Sequence, residues 1–175
     1  MQQYYRYLGY GSHVPVLLTC LHLTKGPVLE LGAGFYSTAL LSLYSESRYC
    51  RTIESNFSWL EKVRCFFPVY GEPSLERGHD MLWVESYQTA EIDDRFWEIA
   101  LVDQEEIYRV ESLARLRRQS RFIILHDTEN PVFDEALKNF QYRYDFKELY
   151  PHTSVVSETD NLDWLKESLK WCENS

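Results

Sequence analysis

The 175-residue chain predicts an α/β fold: a doubly wound, mostly parallel sheet with helices on both faces and an antiparallel strand pair near the C-terminus. Three observations carry this. Short apolar runs alternate with segments of helical period along the chain. Four of the runs end in polar residues, at Glu30/Gly32, Glu54, Asp103 and Asp127, and the carboxyl ends of parallel strands are where such sheets bind ligands. The first run enters a turn with two glycines, Gly32-Ala33-Gly34, and then a helix. No internal repeat, low-complexity tract or long linker interrupts the pattern, so residues 1–175 read as one domain, long enough to bury a sizeable core.

Taken in order, a helix is expected from Val14 to about Leu23, with Ser12 as its cap and Gly26-Pro27 as its stop. Val28 to Leu31 is a buried strand, and Ser37 to Tyr44 a helix. Tyr49 to Ile53 is the second strand, and Asn56 caps a helix ending near Phe67 at Pro68. Pro68, Gly71, Pro73 and Gly78 mark a loop, followed by a third strand from Met81 to Val84. Trp97 to Val102 is the fourth strand, Ile107 to Arg118 a helix, and Phe122 to Leu125 the fifth strand, ending at His126-Asp127. Pro131 suits the first turn of a helix reaching Phe140. Tyr142 to Leu149 and Thr153 to Ser157 form the closing strand pair. Asp160 caps a last helix whose apolar face, with Leu162, Leu165 and Leu169, either covers the sheet or makes a homodimer contact; Trp164 and Trp171 lie near it.

Composition narrows the partners. A net charge of −9 repels a phosphate backbone, and the densest basic cluster, Arg115, Arg117, Arg118 and Arg121, has the spacing of a solvated helix face, so nucleic acid is not expected. Cys20, Cys50, Cys65 and Cys172 form neither a CxxC pair nor a zinc pattern and read as free thiols in a reducing compartment. No apolar stretch is long enough to span a membrane and the N-terminus lacks a signal-peptide pattern, so the expected location is the cytoplasm. Aromatic residues reach 15%, enough for a large-ring core with a ring or two left to line a pocket.

The segment Val28-Leu29-Glu30-Leu31-Gly32-Ala33-Gly34-Phe35-Tyr36-Ser37-Thr38 is the strongest local signal. Its glycines let the backbone turn sharply and approach a ligand, and the following helix offers unpaired N–H groups; a tight turn without a ligand would look the same. Glu54 ends the next strand 22 residues after Gly32, an offset suited to ribose hydroxyls or, more plainly, to a surface or capping carboxylate. A dinucleotide fingerprint would need glycine at Ser37, and Tyr144 with Lys147 has the wrong spacing for Tyr-x-x-x-Lys. Both count against an NAD-linked oxidoreductase.

VLELGAG followed by Glu54 resembles the cofactor motifs of class I S-adenosylmethionine-dependent methyltransferases, whose fold is Rossmann-like. ALVDQEE and FIILHDTEN resemble small members of that class whose fifth strand ends in His-Asp-Thr, some of which act on sugars and other hydroxylated small molecules. The similarity runs over residues 11–157. It implies an O-methyltransferase using S-adenosyl-L-methionine on a small-molecule or glycan hydroxyl. Glu30, Gly32, Ala33, Gly34 and Ser37 would hold the methionine end, Glu54 the ribose, and Trp83 and Glu85, with Ser86, the adenine; Asp103 would also meet the cofactor. Asp103, His126 and Asp127 are the catalytic candidates. Asp103 and Asp127 resemble a site for Mg²⁺ or another divalent cation, although Thr128 stands where an Asn is usual; alternatively His126 is the base, or merely shapes the pocket, oriented by Asp127. His13 either closes over the acceptor or serves as a helix-capping or core histidine. Arg109 either grips a substrate oxygen or pairs with Glu105 or Glu106, and Thr128 lies on the acceptor side. A non-catalytic nucleoside-binding module is the remaining alternative.

Overall fold

The computed structural model describes residues 9–67 and 76–173, the side chains of 171–173 excepted. Pro68, Gly71 and Pro73 of the expected loop, and the side chains of Trp171 and Cys172, lie outside the described residues. The elements run α1 (Val14–Leu23), β1 (Val28–Leu31), α2 (Ser37–Tyr44), β2 (Tyr49–Glu54), α3 (Phe57–Phe66), β3 (Gly78–Trp83), β4 (Trp97–Val102), α4 (Glu106–Leu116), β5 (Ser120–His126), α5 (Asp134–Lys138), β6 (Tyr142–Phe146), β7 (Thr153–Ser157) and α6 (Asp163–Glu173). A 3₁₀ turn at Pro131–Phe133 leads into α5.

One seven-stranded sheet results, in the order β3-β2-β1-β4-β5-β7-β6. β1 pairs parallel with both β2 and β4, and only β7 runs against its neighbours. The chain winds outward through β2 and β3, then crosses back to β4, so the strand order reverses between β1 and β4. The crevice at that reversal is where a ligand site belongs.

Both sheet faces are covered, which is why the parallel strands are apolar on both sides. In β1, Leu29 and Leu31 enter one core with Trp97, Ile123, Leu113 and Phe133, while Val28 enters the other with Leu17, Leu41 and Phe122. Burying each such side chain stabilises by roughly 1.5–3 kcal/mol. Leu162, Leu165 and Leu169 of α6 are part of the second core, and Trp164 meets Phe122 edge-on, so this helix packs on its own sheet.

Several expected boundaries and caps shift: α4 spans Glu106–Leu116 rather than Ile107 to Arg118, β5 begins at Ser120 rather than Phe122, α5 ends at Lys138 rather than Phe140, and β6 stops at Phe146 rather than Leu149. β3 begins three residues earlier than Met81, because Gly78 and His79 already pair with Tyr49 and Cys50. Ser12 does not cap α1; the N-cap position is His13, with no side-chain cap bond. Asp160 does not cap α6 either, since its carboxylate accepts from Arg121 at 2.7 Å and Asn161 Oδ1 receives the N–H of Asp163 instead. Asn56 does cap α3, accepting the N–H of Trp59 at 3.1 Å. Burial pushes the Cys20 and Cys50 thiols up to about 12, as expected of inert core cysteines. Among the described residues no helix is long and apolar enough to cross a membrane.

Candidate functional site

The β1–α2 turn is built from backbone geometry. Gly32 has φ +93°, and a Cβ there would lie 2.5 Å from the carbonyl oxygen of Asp103, so β1 and β4 approach too closely for any side chain. Two buried carboxylates then hold the turn. Glu54 accepts the N–H of Ala33 at 3.0 Å and of Asn56 at 2.7 Å, and the Tyr87 hydroxyl at 3.3 Å. Glu30 Oε2 accepts the hydroxyls of Thr38 and Thr52, and Thr38 in turn receives the N–H of Gly34. Thr52 also meets His79 Nε2 at 2.7 Å, and His79 Nδ1 meets Ser42 at 3.0 Å. Since the one Thr52 proton goes to Glu30, His79 donates from Nε2 and accepts at Nδ1. Burial keeps His79 neutral by lowering it to about 4, and raises Glu30 to about 7.

Across the crevice, the ends of β4 and β5 and the segment before α1 bring a second cluster together. His126 Nδ1 lies 3.0 Å from Asp103 Oδ1 and 3.4 Å from Asp127 Oδ1. A carboxylate carries no proton, so Nδ1 is the donor, and Nε2 lies 2.7 Å from the Ser12 hydroxyl. Arg109, itself buried, donates to the carbonyls of Gln104 and His126, to Asp127 Oδ2 at 2.8 Å and to Asp103 Oδ1 at 3.3 Å. Burial alone would raise Asp103, but the His126 N–H, the charge of His126 and the Arg109 guanidinium outweigh it and hold the carboxyl below its usual range. Burial likewise opposes charge on His126, yet Asp103 and then Asp127 keep it above the ordinary histidine value. Asp127 takes φ +58°, a left-handed conformation uncommon for a residue with a side chain and typical of functional turns. His13 sits edge-on to His126 with ring centroids 4.7 Å apart.

These two clusters border one open cleft of about 1860 Å³, room for a nucleoside cofactor and an acceptor together. Ala33, Gly34 and Ser37 line one end, and His13, Asp103, Arg109, His126 and Asp127 the other. No family model and no curated protein matches the sequence. Solved structures do match. The O-methyltransferase from Bacillus cereus in complex with SAH aligns over 83% of this chain and 80% of its own, with TM-score 0.60 and 15% identity. The precorrin-6y C5,15-methyltransferase from Geobacter metallireducens GS-15 covers 81% and 85%, with TM-score 0.58 and 16% identity. An rRNA methylase from Streptococcus thermophilus covers 82% and 94%, with TM-score 0.58 and 9% identity. The chain has the class I methyltransferase fold.

Within this methyltransferase fold the expected residues separate. Gly32, Glu30 and Glu54 sit behind the turn rather than on the cleft wall, with Glu30 fully buried and its Oε1 unpartnered. Trp83 and Glu85 lie outside the cleft; Trp83 donates to the Ser55 carbonyl and Glu85 is exposed. Thr128 faces β7, its hydroxyl donating to that of Ser154, whose own proton goes to Asp145. Arg109 does not pair with Glu105 or Glu106, because its buried fork reaches the two strand ends first. The same fork decides the cation question: its guanidinium bridges Asp103 and Asp127, so a divalent ion shared by those two carboxylates does not fit the residues present. Arg115, Arg117 and Arg121 are also spent, on Asp93, Glu158, and Glu98 with Asp160.

Ser12, His79 and Tyr87 escape sequence reasoning. Ser12 meets a residue 114 positions away, and the only local sign is its place beside His13. Tyr87 reaches Glu54 across 33 positions and His79 reaches Thr52 across 27, with no motif to mark either.

Proposed function

We propose that the chain is an S-adenosylmethionine-dependent O-methyltransferase acting on a hydroxyl of a small molecule, with a sugar or glycan as the favoured acceptor. The observation that carries this is the shared cleft: a glycine turn at one end and a proton-accepting Asp103–His126 pair at the other. The turn fits the cofactor, since Gly34 on the cleft wall carries no side chain and Glu54 Oε2 accepts only the one N–H of Ala33, leaving a lone pair. Glu54 would hold the ribose, and Ala33, Gly34 and Ser37 the methionine end. The bound cofactor supplies an activated methyl group, so the protein's task is alignment and proton removal. Asp103, hydrogen-bonded to His126, takes the acceptor's proton, while His126, Arg109 and Asp127 fix its position.

Exposed rings at the cleft support the acceptor class. Tyr10, Tyr36 and Tyr150 are 89%, 47% and 58% exposed and line the same cleft, so flat apolar faces stand beside Lys147 and Glu148. A sugar offers both an apolar face and hydroxyls. An RNA acceptor suits the net charge of −9 and the paired arginines less well.

The test is calorimetric titration of S-adenosylhomocysteine, with NADH as control, followed by mass spectrometry of methyl glycosides and catechols incubated with the cofactor. Micromolar binding of S-adenosylhomocysteine alone, weakened at least about tenfold in Glu54→Ala, is expected, with one methyl gained by a hydroxylated acceptor. A folded protein that binds neither nucleotide, or NADH alone, rejects the proposal; tight binding with no methylation of any acceptor supports a non-catalytic module.

A further inference from the structure

His13 is the anomaly of the cleft. It is 1% exposed, yet neither of its ring nitrogens has a hydrogen-bond partner. Leaving such a group unpaired costs about 1–3 kcal/mol, and a site keeps that cost when a ligand removes it. Asp103 Oδ2 lies 3.9 Å from His13 Nδ1, too far for a direct hydrogen bond. The other oxygen of the same carboxylate, Oδ1, is already taken by His126 and Arg109. His126 cannot turn toward the gap without losing Asp103 on one side and Ser12 on the other. One imidazole is therefore locked and one is free, and the free one faces the unused edge of Asp103.

We propose that the gap between His13 Nδ1 and Asp103 Oδ2 is the acceptor-oxygen subsite, which holds one protonated hydroxyl. The proposal rests on the methyl-transfer function proposed above. An oxygen at about 2.8 Å from each of two atoms 3.9 Å apart subtends roughly 90° between them, close to what a hydroxyl can serve as donor and acceptor at once. Its proton points to Asp103 Oδ2, because the carboxylate can only accept. Its second contact is then a donor, so His13 carries its proton on Nδ1. The subsite selects a neutral alcohol or phenol over an ammonium group, since the His13 N–H opposes a second donor. In the transfer step the acceptor oxygen's lone pair forms the new C–O bond, the C–S bond of the methyl sulfonium breaks with its pair left on sulfur, and the hydroxyl proton moves to Asp103 Oδ2. His13 is thus a catalytic residue that touches the reacting oxygen, while His126 and Ser12 are positioning residues.

A cation is the competing occupant, because His13, Asp103 and His126 each present a ligand atom within 4.8 Å of the others. A hydroxyl fits better: the Arg109 guanidinium already lies against Asp103, and metal ligation by His126 Nδ1 would break its bond to Asp103.

The test needs no turnover. Crystals of the wild-type protein, with and without S-adenosylhomocysteine, are soaked in ethylene glycol and in Zn²⁺, and the His side chains are followed by ¹⁵N NMR. The expected result is one ordered oxygen, from water or glycol, within hydrogen-bond distance of both His13 Nδ1 and Asp103 Oδ2, with the His13 proton on Nδ1. In His13→Phe that oxygen is lost, while S-adenosylhomocysteine affinity stays within about threefold; His13→Asn, which keeps a donor, is the second variant should the first not fold. A dry gap, a His13 proton on Nε2, an oxygen that persists in His13→Phe, or zinc seen by anomalous scattering between the three groups overturns the proposal. Because the oxygen is sought without S-adenosylhomocysteine as well, failure of the cofactor to bind refutes the methyltransferase function separately.

Discussion

The two ends of the cleft solve opposite problems. At the cofactor end, Glu30 and Glu54 are turned inward onto the protein's own N–H and hydroxyl groups, so they first shape backbone, with one Glu54 lone pair left over. At the acceptor end, Asp103, His126 and Arg109 reach the cleft surface, balance one another's charge, and leave His13 with nothing to bind. One end is finished without its ligand and the other is not. Mutations should therefore injure them differently: stability and cofactor affinity suffer at the first, chemistry at the second.

The sharpest break at the cofactor end is Gly32→Ala. The new methyl would meet backbone of Asp103 and Gln104 at 2.5–2.7 Å, in a φ that L residues rarely adopt, and no flexible side chain is there to yield. Overpacking and backbone strain together should cost about 3–5 kcal/mol by urea unfolding and abolish S-adenosylhomocysteine binding. A loss below about 1 kcal/mol would mean that β1 and β4 are not held at this distance.

At the acceptor end, Asp103→Asn keeps the shape and removes the charge that Arg109 and His126 face. Turnover should fall by about 10²–10⁴ with cofactor affinity nearly unchanged, measured by methyl transfer and calorimetry side by side. An equal loss of affinity and turnover would erase the contrast between the two ends.

Titration sharpens the contrast further. Burial lowers His13 and His79 to about 4, below the 6.5 of an unfolded histidine. Between those values the unfolded chain binds more protons, so the stability they contribute is present above pH 6.5 and is lost as pH falls toward 4, roughly 3 kcal/mol apiece. Glu30 has the opposite sign. Burial raises it to about 7 from 4.5, so its contribution is present below pH 4.5 and is lost as pH rises through 7. Glu30→Gln removes only the second effect. Its stability relative to wild type should therefore improve between pH 4.5 and 7 in urea titrations, and a difference independent of pH would show that Glu30 is ionised throughout.

Which of these features the sequence displays follows from how far apart the interacting residues lie. The element order, the glycine turn and the polar strand ends are local patterns, and all appear in the structure as read. What failed was pairing at a distance. Arg109 reaches across 18 positions to Asp127 rather than to Glu105 or Glu106 beside it, because its side chain is buried and must find charges that are buried with it. β3 starts early because Gly78 and His79 are held by β2, which their own residue types do not announce. Trp83 looks like a pocket ring by position, yet the sheet edge points it to the Ser55 carbonyl.

Ser12 and Asn56 put that lesson in its smallest form. Both are short polar residues just before a helix, and both read as caps. Asn56 is one: its Oδ1 takes the Trp59 N–H, a contact three residues long that any helix start can offer. Ser12 instead turns to His126, because the buried Nε2 there has no other partner and the α1 start carries Pro15, with one N–H fewer to satisfy. Asn56→Ala should then cost about 1 kcal/mol, visible as a small drop in Tm, with the ¹⁵N signals of His126 unmoved. Ser12→Ala should shift those signals and the pH profile of turnover, and Ser12→Thr should restore both. If Ser12→Ala lowers Tm alone, its hydroxyl serves the fold, and the difference between the two residues is one of partner only.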